Sequence, residues 1–141
     1  MVKENCSLYI YTDGSVRGNP GNAAIAFTIY DENRKIISEK SEFIGIRTNN
    51  VAEYMALISA LEEASKFCRG EIFCFSDSKL IINQIRGDYK TKKKHLKELY
   101  LELKNKENSF KIVKYARLSE KDDPKIVRVD KLAKKTSKYR G

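Results

Sequence analysis

Several residue types are scarce in this chain, and their scarcity excludes whole classes of functional site. His95 is the only histidine, tryptophan is absent, and no two of the three cysteines have the spacing of zinc ligands. A zinc centre needs several cysteine or histidine ligands, and a serine nucleophile of the triad type needs a histidine base. We therefore expect neither kind of site.

Long apolar runs are also missing. The longest run, Ala23 to Tyr30 with Thr28 interrupting it, is far too short to span a bilayer, and residues 1–5 lack the apolar stretch of a targeting signal. Three cysteines, Cys6, Cys68 and Cys74, make an odd count with no close pairing, and two of them lie in apolar contexts typical of reduced, buried thiols. We therefore expect a soluble protein of the reducing cytoplasm with no membrane association.

Positive charge is concentrated in one part of the chain. Residues 1–89 carry 10 Lys and Arg against 12 Asp and Glu, whereas residues 90–141 carry 18 against 7. A basic cluster of this kind is typical of nucleic-acid binding, although a lysine-rich solubilising surface gives a similar composition. With 141 residues the chain is long enough for one domain, 1–141, and the clustering favours a polyanionic partner.

Hydrophobic periodicity predicts a mixed α/β domain. Three strands joined by short loops predict an antiparallel meander, and a helix before the fourth strand predicts a crossover that makes this strand parallel to an existing one. The predicted strands are Ser7–Thr12, Ala23–Tyr30, Lys35–Ile46, Ile72–Ser76 and Phe110–Tyr115. The predicted helices are Asn50–Phe67, capped by Asn49 or Asn50, then Ser78–Arg86, Thr91–Lys106 and Val127–Lys138.

Four acidic residues stand at the boundaries of these elements. Asp13 and Asp77 each follow a predicted strand, Glu53 lies in the first turn of a predicted helix, and Asp130 lies near the start of the last helix. Any one of them alone is more often a cap or a solvated charge. Because strand ends in α/β sheets gather ligands, the four together predict a divalent metal site, and oxygen ligands favour magnesium or manganese.

Four blocks of sequence closely resemble type 1 ribonuclease H. They occur in the family's order and span about residues 7–135, nearly the whole chain. The blocks are Tyr11-Thr12-Asp13-Gly14-Ser15 with Gly18-Asn19-Pro20-Gly21, Thr48-Asn49-Asn50-Val51-Ala52-Glu53-Tyr54, Ser76-Asp77-Ser78, and Val129-Asp130-Lys131-Leu132-Ala133.

The resemblance implies a ribonuclease H fold, a five-stranded mixed sheet with three antiparallel strands followed by parallel strands, flanked by helices. It also implies a monomeric endoribonuclease that cuts the RNA strand of RNA/DNA hybrids, leaving 5′-phosphate and 3′-hydroxyl ends. The family's four catalytic carboxylates match Asp13, Glu53, Asp77 and Asp130. They would hold two Mg²⁺ ions, with Mn²⁺ as a substitute, and Asp13 would bridge both.

The resemblance further implies contacts with the nucleic acid. In the family, polar groups read ribose 2′-hydroxyls in the shallow minor groove, and a threonine contacts a phosphate of the DNA strand. Independently of the resemblance, the lysines of residues 89–94 are candidates for binding the hybrid backbone through their charge. The matching or candidate residues here are Asn19, Thr48, Asn49, Asn50, Lys79, Lys90, Lys92 and Arg117.

Two departures from the family keep an alternative open. The histidine that many relatives carry after the fifth strand is absent and Arg117 is the nearest substitute, while Ile126 replaces an asparagine often found four residues before the last aspartate. A fixed guanidinium charge steadies a phosphate but is a poor base. The alternative is a module of the same fold that binds hybrids or double-stranded RNA without cutting them. Cleavage of double-stranded RNA or of DNA is a third hypothesis.

Overall fold

A five-stranded mixed sheet forms the centre of the protein. The computed structural model describes residues 2–87 and 91–139. The strands are β1 (Ser7–Gly18), β2 (Gly21–Tyr30), β3 (Ile36–Arg47), β4 (Glu71–Ser76) and β5 (Ile112–Arg117), in the spatial order β3-β2-β1-β4-β5. The helices are α1 (Asn49–Ala64), α2 (Lys79–Ile85), α3 (Lys94–Lys106) and α4 (Pro124–Tyr139), with a short 3₁₀ turn at Glu107–Ser109.

Strand directions confirm the predicted topology. β1, β2 and β3 pair antiparallel as a meander, whereas β4 pairs parallel to β1 and β5 pairs parallel to β4. The crossover through α1 therefore returns the chain to the edge of β1 that β2 leaves free. The predicted fold class, a mixed sheet with helices, is confirmed.

The two faces of the sheet carry different apolar clusters. On β1, Leu8 and Ile10 pack on the side covered by α1, and Tyr11 packs on the opposite side against Ile126 of α4. This division follows from the alternation of side chains along a strand. Even-numbered residues of β1 therefore face α1 and odd-numbered residues face α4.

The first strand is longer than its sequence suggested. The segment from Asp13 to Gly18 was predicted as part of a loop, yet it continues β1 and pairs with β2 as far as the Gly18–Gly21 pair. The turn is confined to Asn19 and Pro20, whose peptide bond is cis. Asp13 consequently lies in the middle of a strand, and its prediction as a strand-end residue is wrong.

Helix starts also differ from the prediction. Thr48 caps α1, its hydroxyl oxygen accepting the Val51 N–H at 3.4 Å, so Asn49 and Asn50 lie inside the helix and are not its caps. Glu53 is therefore in the second turn. Pro124 begins α4, a position that suits proline because its missing N–H has no helical partner there. Asp130 consequently lies well inside α4 and not near its start.

The expectation of reduced cysteines is wrong for Cys6 and Cys68. Cys6 and Cys68 form a disulfide with Cα atoms 6.1 Å apart, although 62 positions separate them in the chain. A parallel bridge between Lys3 and Cys68 brings the two segments together, and local sequence spacing does not reveal such a contact. Cys74 is a buried free thiol, as expected. Within the described residues, no helix is long and apolar enough to cross a membrane.

Candidate active site

The site lies where β1 and β4 separate. Their parallel pairing ends at Tyr11 and Phe75, after which β1 continues beside β2 alone. On β4, the chain turns after Ser76 into α2, whose start is capped by the Ser78 hydroxyl. Asp13 and Asp77 therefore flank the gap between two diverging strands.

Glu53 reaches the same gap because α1 crosses β1 very closely at Gly14. A Cβ on Gly14 would lie 2.7 Å from both the backbone carbon and the Cβ of Ala52, so only glycine fits there. The Gly14 N–H donates a hydrogen bond to Oε1 of Glu53. This contact fixes the carboxylate of α1 against the strand that carries Asp13.

Three carboxylates meet in this gap. One oxygen from each of Asp13, Glu53 and Asp77 lies within 4.8 Å of the others. Asp13 and Glu53 are buried, with 6% and 8% of their surface exposed, and Asp77 is half-buried. Three acidic groups this close together and this little exposed to solvent are arranged as ligands for a cation.

Electrostatics at this cluster favour the protonated forms when no cation is bound. Burial raises the pKa of Asp13 well above its usual range, and the charge of Glu53 raises it further. Burial and the charge of Asp77 raise the pKa of Glu53, while the Gly14 hydrogen bond opposes that rise. The pKa of Asp77 is raised by burial and then by Asp130. Each of these three acids therefore holds its proton more tightly than an isolated carboxylic acid does.

Asp130 stands at the edge of the cluster. Its carboxyl group hydrogen-bonds with that of Asp13, and its Oδ2 lies 2.9 Å from the Lys134 ammonium nitrogen. Sequence reasoning missed Lys134. The signal was available, because residues four apart on a predicted helix lie on the same face. The structure therefore places all four predicted carboxylates at one site, with a cation beside the fourth.

Four of the predicted substrate residues lie together at the start of α1. The Asn19 side-chain oxygen accepts the backbone N–H of Asn49 at 3.0 Å, which joins the β1–β2 turn to the helix. Thr48 and Asn50 flank this contact, and Asn19 and Asn49 are exposed. These residues thus form one polar surface.

The other predicted contacts are more scattered. The Arg117 Nε donates to the backbone oxygen of Asp77 at 3.2 Å, which places this guanidinium beside the carboxylates. Lys79 is exposed at the start of α2, two residues from Asp77, and Lys92 is exposed before α3. Lys90 lies outside the described residues.

The isoleucine that departs from the family pattern is well accommodated. Ile126 is only 1% exposed and packs with Tyr11, Ala26 and Val129 between α4 and the sheet. It lies in the first turn of α4 and not in the preceding loop. The site is therefore supported on this side by apolar packing.

Comparison with known proteins gives one consistent result. The RNase H family profile matches residues 5–137. A bifunctional protein of Mycobacterium tuberculosis is 36% identical over 107 residues, which are 75% of this chain and 29% of that protein. The chain therefore spans less than a third of this relative.

Two solved structures are similar over nearly their whole length. RNase H1 from Halobacterium salinarum is 32% identical with a TM-score of 0.86, over 92% of this chain and 96% of that one. LC11-RNase H1, solved in complex with an RNA/DNA hybrid, is 36% identical with a TM-score of 0.84, over 94% and 98% of the two chains. Sequence and fold agree, and the chain belongs to the RNase H family, with type 1 ribonucleases H as its structural neighbours.

Proposed function

We propose that this protein is a metal-dependent endoribonuclease that hydrolyses the RNA strand of RNA/DNA hybrids and leaves 5′-phosphate and 3′-hydroxyl ends. The observation that carries the proposal is the meeting of Asp13, Glu53 and Asp77 within 4.8 Å on a ribonuclease H fold. The similarity to LC11-RNase H1, whose structure contains a hybrid, supports the substrate. A monomer in the cytoplasm stays a prediction.

The residues present fit Mg²⁺. The donors are carboxylate oxygens, which hard dications prefer. Burial, and then the charge of the neighbouring carboxylates, raises the pKa values of Asp13 and Glu53, and a bound cation would offset both effects. When bound, two magnesium ions supply an activated water and stabilise the leaving 3′ oxygen of an in-line displacement. The same oxygen ligands are also suitable for Mn²⁺.

Three of the carboxylates are held in place by separate structural contacts. Asp13 is held by a strand paired along its length, and Glu53 by the Gly14 N–H at a close helix–strand contact. Asp77 lies between β4 and the capped start of α2. Rigid positioning lowers the reorganisation that the reaction requires, because the ligand oxygens are already gathered before substrate arrives.

Lys134 and Arg117 keep positive charge near the reacting phosphate. Lys134 neutralises Asp130 in the metal-free protein, and Arg117 is anchored to the backbone of Asp77. A guanidinium at this position is suited to holding a phosphate oxygen and not to accepting a proton. We therefore assign Arg117 to substrate binding.

The polar surface at the start of α1 suits a hybrid. Exposed amides of Asn19 and Asn49 provide both donors and acceptors, which a ribose 2′-hydroxyl needs, and the Thr48 hydroxyl lies beside them. Asn50, Lys79 and Lys92 complete the proposed contacts.

Cleavage of labelled duplexes tests the proposal. Matched RNA/DNA, RNA/RNA and DNA/DNA duplexes are incubated with Mg²⁺, Mn²⁺ or a chelator. We expect internal cleavage of the RNA strand of the hybrid that needs metal and falls at least about 100-fold in Asp77→Asn. Glu98→Gln, which removes an exposed carboxylate on α3, is the matched control and should cleave normally.

The same experiment distinguishes the proposed activity from the alternative, a module that binds hybrids without cutting them. Hybrid binding without fragments at any metal concentration would support a non-cleaving module and contradict the proposed activity. Near wild-type cleavage by Asp77→Asn would refute the assigned carboxylates. With a fluorophore on the 5′ end of the RNA, the labelled fragment should keep its mobility after phosphatase treatment, because its new end is a 3′-hydroxyl and the phosphate lies on the other fragment.

A further inference from the structure

A strongly basic groove lies beside the carboxylates, and apart from Lys134 its residues have no part in the function described so far. It is lined by Arg17 at the end of β1 and by three lysines of the C-terminal half of α4, Lys134, Lys135 and Lys138. All four side chains are exposed. No carboxylate is among the described residues that line it. Lys134 pairs with Asp130, so the net positive charge of this concave surface comes from Arg17, Lys135 and Lys138.

The groove and the candidate metal site belong to one continuous line along β1 and α4. Asp13, Ser15 and Arg17 alternate along β1 and therefore face α4. The Asp13 carboxyl contacts Asp130, and the Ser15 hydroxyl lies 3.2 Å from the hydroxyl of Ser137, which is buried. The side chain of Arg17 continues this line into the groove.

The distance from the carboxylates matches a few nucleotides. Four residues of strand separate Asp13 from Arg17, about 13 Å at about 3.3 Å per residue. Phosphates on one strand of a duplex recur about every 3.4 Å along its axis, so about 13 Å spans about four nucleotides if β1 runs parallel to that axis and about two or three if it is inclined to it. A strand whose phosphate lies on the carboxylates would extend over these cations.

We propose that Arg17, Lys135 and Lys138, with Lys134, bind backbone phosphates of the RNA strand about two to four nucleotides from the cleaved bond. The inference rests on the proposed function, because that function places the RNA strand on the carboxylates. The contacts carry no sequence information and contribute affinity that depends on salt.

Binding measurements with a matched pair of variants test this proposal. R17Q/K135Q/K138Q removes three charges from the groove and leaves Lys134 with Asp130. K35Q/R69Q/K114Q removes one arginine and two lysines that are exposed elsewhere. Fluorescence anisotropy with a labelled RNA/DNA hybrid in chelator gives the Kd of each protein over a range of salt concentrations.

We expect the groove variant to bind the hybrid about tenfold more weakly near 0.1 M salt. The slope of log Kd against log salt should fall by about two to three, about one for each lost phosphate contact. The control variant should stay within about twofold of wild type and keep its slope, although its net charge is the same. Unchanged melting temperatures would show that both variants are folded.

Replacing one charged phosphate of the RNA strand by a neutral methylphosphonate locates the phosphate that the groove binds. One methylphosphonate placed two to four nucleotides from the cleaved bond, on either side of it in the RNA strand, should weaken wild type but add no loss to the groove variant. Equal affinities and slopes for the groove and control variants would overturn the proposal.

The outcomes also distinguish the groove from the proposed function. If wild type cuts no hybrid yet the groove variant still loses affinity selectively, the activity is wrong and the groove stands. If cleavage occurs and the groove variant binds like the control, the proposed phosphate binding by the groove is wrong and the proposed activity is supported. Failure of wild type to bind any hybrid would overturn both.

Discussion

Replacing Asp13 by asparagine should stabilise the metal-free protein while it abolishes cleavage. Asp13 is buried and lies within 4.8 Å of carboxylate oxygens of both Glu53 and Asp77. Without a cation, these groups either repel one another or take up protons against the ordinary preference of a carboxylic acid at neutral pH. The asparagine keeps the shape of the side chain and removes its charge.

The size of the effect follows from that distance. Two unit charges 4.8 Å apart repel by about 3 kcal/mol at an effective dielectric constant of about 20. We therefore expect Asp13→Asn to raise the free energy of unfolding by about 3 kcal/mol at pH 8 in chelator, or the melting temperature by about 10 °C.

The sign of the pH dependence is fixed by the direction of the pKa shifts. The folded-state pKa of Asp13 is raised, so the native state binds more protons than the unfolded state as pH increases above the ordinary range of an aspartate. Wild type therefore loses stability from about pH 4 upward relative to the variant. The advantage of Asp13→Asn should be near zero at pH 4 and largest at pH 8.

Urea unfolding at pH 4, 6 and 8, with chelator or with Mg²⁺, measures these differences. Glu98→Gln controls for the loss of one negative charge and should change stability little at every pH. Mg²⁺ should stabilise wild type more than Asp13→Asn, because the variant has lost a ligand. A variant no more stable than wild type at pH 8 in chelator, or equally favoured at pH 4 and pH 8, would refute the reasoning.

Two further predictions concern the scaffold of the site. Gly14→Ala should lower the free energy of unfolding by about 3 kcal/mol in urea titration, because its Cβ would lie 2.7 Å from Ala52. Gly45→Ala, at a positive φ of 83° with open space around its Cβ, should cost only about 1 kcal/mol, and equal costs would contradict the steric argument. Reducing the Cys6–Cys68 disulfide should destabilise the protein by about 4 kcal/mol, since it closes a loop of 62 residues. Cys6→Ser should reproduce the effect of reductant and become insensitive to it, and a variant as stable as the oxidised protein would contradict this estimate.

Much of the site could be predicted because its residues come from locally recognisable elements. The apolar run before Asp77 and the helical spacing around Glu53 are patterns within a few residues, and the motif blocks add the order in which they occur. Helix starts were harder. Thr48, Asn49 and Asn50 are all good caps, and the choice of Thr48 depends on how α1 lies against β1.

In the sequence alone, alternation and helical period predicted the mixed sheet and its helices, and the motif blocks of the family resemblance singled out the four acids. Only the tertiary structure decided that β1 continues past Asp13, that Cys6 meets Cys68, and that Arg17 shares a groove with the lysines of α4. The physical reason is the distance along the chain between the residues involved. A hydrophobic period can be recognised in neighbouring residues, whereas these contacts join distant segments that come together only after the sheet and helices have packed.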